Sequence, residues 1–113
     1  MSHDVKKLYF ILEKIEDINS FKNRFDTIGE LLNDKMGFDA TLMCLLQIEE
    51  NLNKLTKSYI KLDKNDIKGS YNVRNFIAHD YEGINKTIIE SIIREHTENL
   101  KVTIKDILKK EKD

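Results

Sequence analysis

The chain has 113 residues, the size of one ordinary domain, and sets 19 lysines and arginines against 20 aspartates and glutamates. That balance leaves no global positive field for gripping nucleic acid, so any such contact must come from a local patch. Proline is absent and glycine occurs only four times, which removes the strong helix breakers and points to an all-α chain.

In chain order, "MSHDVKKLYF" carries an early aspartate and no long apolar run, unlike a secretory signal, and nothing approaches the ~18 apolar residues of a membrane span. A soluble cytoplasmic protein is the expectation. Ser2 or Asp4 is placed to cap a first helix whose apolar positions are Val5, Leu8, Leu12, Ile15 and Ile18, with Tyr9 and Ile11 flanking. Asn19-Ser20 offers a fresh cap, Phe21, Phe25, Ile28, Leu31 and Leu32 carry the period to about Met36, and Gly37 is expected to stop that segment. Asp39 then caps a helix reaching to about Leu62, with Phe38 stapled on Met43. Its first turns, Leu42 to Ile48, are apolar on nearly every side, so it is expected to be central. Cys44 lies inside that run; a lone cysteine there reads as a small buried hydrophobe.

"LDKNDIKGS" supplies turn chemistry through Asp63, Asn65 and Asp66. A shorter helix follows with Ile67, Val73, Phe76 and Ile77, and Gly83 stops it. Asn85 caps the last helix, whose buried side is marked by Ile88, Ile89, Ile92, Ile93, Leu100, Ile104, Ile107 and Leu108, with a fraying "KKEKD" tail. No repeat, linker or boundary interrupts residues 1–113, so the expectation is one bundle of four to five helices.

Candidate chemistry is sparse. Lys54, Lys57, Lys61, Lys64 and Lys68 would form a basic stripe on a continuous helix, but a break near Asp63 and the nearby Glu49, Glu50 and Asp66 favour an ordinary solvated face. His3 and His96 have no second histidine or cysteine at ligand spacing, so no metal or other cofactor is expected. There is no glycine-rich phosphate loop, no nucleophile elbow and no cysteine pair.

One segment stands apart. Arg74-Asn75-Phe76-Ile77-Ala78-His79-Asp80-Tyr81 packs a guanidinium, an amide, an imidazole, a carboxylate and a phenol into one short stretch. On a helix, Tyr81 returns to the face of Arg74, whereas His79 points about 140° away from it. Convergence therefore needs either a chain that turns inward near His79 or a second copy of the chain. An ordinary helix terminus, with His79 near the last carbonyls and Arg74 in an ion pair, accounts for the same residues.

The segment fits R-x-x-x-x-H-x-Y, and with the following Tyr81-x-Gly83-x-Asn85 turn it resembles the HepT-like HEPN ribonuclease toxins of HEPN/MNT toxin–antitoxin systems. The resemblance extends to "FDATLMCLLQIEENLNKLT" and to "IKGSYNVRNFIAHDYEGIN". The chain departs from many relatives in having Glu49 where they carry a glycine and Lys64 where they carry a tryptophan.

The resemblance implies a homodimeric HEPN-type bundle and a metal-independent endoribonuclease. Its composite site would lie where two motifs meet, with Arg74 and His79 catalytic and Asn75 and Asp80 supporting. It further implies RNA as substrate and a nucleotidyltransferase antitoxin that transfers AMP to Tyr81. The alternative is a non-catalytic HEPN-like partner of a nucleotidyltransferase that uses the same surface to bind nucleotide or protein. Growth arrest on expression alone separates the two.

Overall fold

A computed structural model of the chain describes residues 3–56 and 85–112. Among these residues the structure is all-helical and contains no strand. Helix α1 spans His3–Lys22, α2 Ile28–Asn33 and α3 Lys35–Asn53. The last rod comprises α4 (Lys86–Ser91), a π-helical turn (Ile92–His96) and α5 (Thr97–Lys112). No described helix is long and apolar enough to cross a membrane.

The core is where α1, α3 and the last rod meet. Leu8, Ile11, Ile15 and Ile18 of α1 are fully buried, at steps of three and four residues that keep one face inward. The centre of that face is Ile11, with Leu12 displaced to its half-buried flank. Leu42, Leu45, Ile48 and Leu52 of α3 pack against it, and Ile89, Ile93, Leu100, Ile104, Ile107 and Leu108 close the cluster. Of the expected last-helix positions, Ile92 is half-buried and Ile88 is exposed. Cys44 is buried, and desolvation followed by the charge of Asp17 pushes its thiol pKa up.

The expected helix boundaries between α1 and α3 need correction. Asn19-Ser20 starts nothing; α1 runs through it to Lys22. The break comes after Lys22, and Thr27 opens α2 by accepting the Glu30 N–H at 3.1 Å while Glu30 reaches back to the Asp26 N–H at 3.3 Å. Asp34 closes α2, its N–H donating to the Glu30 and Leu31 carbonyls, and opens α3 by accepting the Gly37 N–H at 2.8 Å.

Gly37 is therefore not a stop but a first-turn residue of α3. A Cβ there would lie 2.7 Å from both the Leu31 carbonyl oxygen and Leu31 Cδ1, so the missing side chain permits the tight corner between α2 and α3. Asp39 lies within α3 and is not its cap. At its other end α3 stops at Asn53, short of the expected Leu62.

The π turn closes at Thr97. Thr97 is buried, and its N–H reaches past the usual partner to the Ile92 carbonyl. Its hydroxyl donates to the Ile93 carbonyl at 2.6 Å. Ile89, Ile93, Thr97 and Leu100 are all buried across this turn.

Candidate functional site

Arg74, Asn75, His79, Asp80 and Tyr81 lie outside the described residues, as do Val73, Phe76 and Ile77 and the lysines of the stripe beyond Lys54. The structure does describe the chain on either side of them.

On the entry side, Thr56 is fixed to the first turn of α1. The Asp4 carboxylate accepts the Thr56 N–H at 2.9 Å with one oxygen and the Thr56 hydroxyl at 2.8 Å with the other. Asp4 is 3% exposed. It lies inside α1, and this cross-chain tie occupies the carboxylate that the sequence suggested as a cap. On the exit side, Asn85 caps α4 as expected, its side chain accepting the Thr87 N–H at 2.9 Å and the Ile88 N–H at 3.4 Å. Lys86 then donates to Asn33 Oδ1 at 3.3 Å and sits 5.3 Å from the centre of the Phe38 ring. The chain thus leaves α3 beside the start of α1 and re-enters at the corner of α2 and α3.

A buried carboxylate of α3 was not expected from the sequence. Glu49, counted there among the acidic residues near the lysine stripe, is fully buried and accepts the Asn53 amide at 3.1 Å. Its neighbour Glu50 is the exposed one. The signal was present in the spacing: Leu45, Ile48, Glu49 and Leu52 share the inward face of α3.

Among the described residues no group of histidine, cysteine, aspartate and glutamate is placed to hold a metal ion. His96 sits half-buried in the π turn.

The profile of the family described as "Ribonuclease HepT-like" matches residues 11–107, a span that includes Arg74–Tyr81. This chain belongs to the HepT-like ribonuclease family. It is 35% identical over 103 residues to a protein of Methanocaldococcus jannaschii named "Putative RNase MJ0127", covering 90% of this chain and 84% of that one. No solved structure matches. In sequence, the motif segment falls between Thr56 and Asn85, the two ends at which the described helical core stops and resumes.

Proposed function

We propose that this HepT-like chain is a metal-independent endoribonuclease toxin. Its cleavage site is composite, formed where the Arg74–Tyr81 segments of two copies meet, and it is neutralised by a nucleotidyltransferase antitoxin that AMPylates Tyr81. The observation that carries the reading is the complete R-x-x-x-x-H-x-Y motif in a chain of a ribonuclease family.

The chemistry needs little apparatus. RNA brings its own nucleophile, the 2′-hydroxyl. Its oxygen bonds to phosphorus as the bond to the 5′-oxygen breaks, leaving a cyclic phosphate and a free 5′-hydroxyl. A neutral His79 imidazole takes the 2′ proton, a protonated one returns a proton to the 5′-oxygen, and an ordinary pKa of ~6.5 suits both. Arg74 meets the charge that builds on the phosphorane oxygens, because its planar fork matches two of them. Asn75 holds the phosphate and Asp80 orients the imidazole. The second copy answers the angular mismatch between Arg74 and His79 on one helix.

AMP on Tyr81 would place a phosphodiester charge beside Arg74 and a bulky nucleoside where the RNA must lie, blocking it by competition and repulsion.

Arg74→Ala and His79→Ala are each expected to abolish RNA cleavage and growth inhibition while circular dichroism retains the helical signal. A variant that stays toxic at equal expression refutes the role given to that residue. Co-expression with the cognate nucleotidyltransferase is expected to add the mass of one AMP, or a multiple of it, at Tyr81, and Tyr81→Phe to remain unmodified. Intact-mass analysis showing no addition, or AMP mapped to Tyr59 or Tyr71, rules out the neutralisation step.

A further inference from the structure

Where α1 runs out and α3 begins, the surface holds a cavity of about 370 Å³ that the proposed cleavage chemistry does not use. Phe21 and Phe25 line it from the end of α1 and the turn beyond, and Met36 from the first turn of α3. The two phenylalanines are half-buried, whereas Met36 is 82% exposed. The charged residues of the lining are Arg24 and Asp34, and Leu31, Gly37 and Ala40 make up the rest. Arg24 is exposed and, among the described residues, has neither an ion pair nor a side-chain hydrogen bond. Asp34 accepts the Gly37 N–H with Oδ2, and no described residue donates to its Oδ1.

We propose that this cavity is a subsite for one unstacked base of single-stranded RNA. The base lies against the Phe21 and Phe25 rings and the Met36 thioether, its phosphate turned to Arg24 and an exocyclic amino group to Asp34. The proposal rests on the ribonuclease reading for the nature of the ligand, not on the chemistry of Arg74 and His79.

Three features select this occupant. Aromatic rings beside an arginine are how proteins hold splayed-out RNA bases, by stacking on the π-face and pairing with the backbone. The volume falls at the small end of ligand pockets, which run from about 300 Å³ upward, so it suits a single nucleotide and not a duplex. The Asp34 carboxylate beside Arg24 repels a run of phosphates but accepts from a base amine, which again favours one nucleotide over a backbone-tracking groove.

The test is fluorescence anisotropy with a labelled, short single-stranded oligoribonucleotide on the full chain carrying His79→Ala, so that the RNA stays intact. Phe25→Ala on that background is expected to weaken binding about fivefold or more and to leave the salt dependence unchanged. Arg24→Ala is expected to weaken binding and to lower the slope of log affinity against log salt by about 0.7, the share of one single-strand phosphate contact. Because Arg24 is exposed, its loss tests the site without threatening the fold.

Unchanged affinity in both variants overturns the proposal, as does a parent chain that binds no RNA. An effect of Arg24→Ala alone, matched by an equal loss of inorganic polyphosphate binding, reduces the site to a surface charge. A change in oligomeric mass with RNA affinity intact makes the patch a protein contact instead. Binding losses as expected, in a wild-type chain that does not cleave RNA, leave the subsite standing and remove only the catalytic reading.

Discussion

Single residues at the helix junctions carry more of the architecture than their number suggests. Asp34 ends one helix and begins the next, and Gly37 lets them meet. Neither role was legible, because a glycine after an apolar run reads as a stop and only the three-dimensional approach of Leu31 shows otherwise. Thr27 was legible in principle: its T-x-x-E spacing is a capping signature. Glu49 was misjudged because charge was weighed above its position on the inward face.

At the same scale, Lys101 of α5 meets Glu16 of α1 at 2.6 Å. The hydrogen bond from Lys101 holds the Glu16 pKa below its ordinary 4.5, and the same bond raises Lys101 above 10.5. The Glu16 contribution is present above 4.5 and lost as pH falls through the lowered value, and the Lys101 contribution is present below 10.5 and lost as pH rises through the raised one. Lys101→Met is therefore expected to lower the melting temperature slightly at neutral pH, with the gap to wild type closing towards both extremes. Glu16 is more than half exposed, so the gap also shrinks with added salt. A difference independent of pH shows that the loss is packing and not charge.

At the scale of elements, apolar periodicity announced α1, α3 and the last rod, and most of their buried residues follow from it. What periodicity could not reveal is how an element is fastened to a distant one. Asp4 and Thr56 are 52 residues apart in sequence, and their two hydrogen bonds tie the end of the α3 region to the start of α1. Asp4→Ala is expected to destabilise the chain by about 1–3 kcal/mol and to speed hydrogen exchange at the Thr56 amide. Denaturant midpoints and exchange rates check both; an unchanged Thr56 exchange rate means that the tie does not hold that turn closed.

For the whole molecule, the proposed site was legible only as residue types in a motif: a helix places Arg74 and His79 on different faces, and no spacing rule says what completes them. The family supplies the expectation of a second copy. Light scattering at micromolar concentration is expected to give the mass of two chains in the absence of any partner protein. A monomer under those conditions leaves the composite site without its other half. Among the described residues α1, α3 and the last rod already bury a continuous apolar cluster within one chain, so a second copy would not be needed to cover that cluster.

The π turn at Ile92–His96 makes the last rod the place where chain length can change. A wide turn holds one residue more than an α-turn between the same two faces, so it acts as a spare link. Removing exposed Glu95 would let the ladder close with ordinary spacing and leave α4 and α5 in the relative orientation that the wide turn now gives them. The same excision at exposed Glu13, inside the regular α1, would rotate Ile15 and Ile18 by about 100° away from the core that Leu8 and Ile11 occupy. The Glu95 deletion is accordingly expected to yield folded protein and the Glu13 deletion not, a contrast readable from soluble expression and cooperative melting. Across the family, one-residue gaps are expected to collect in this turn and to be rare in α1.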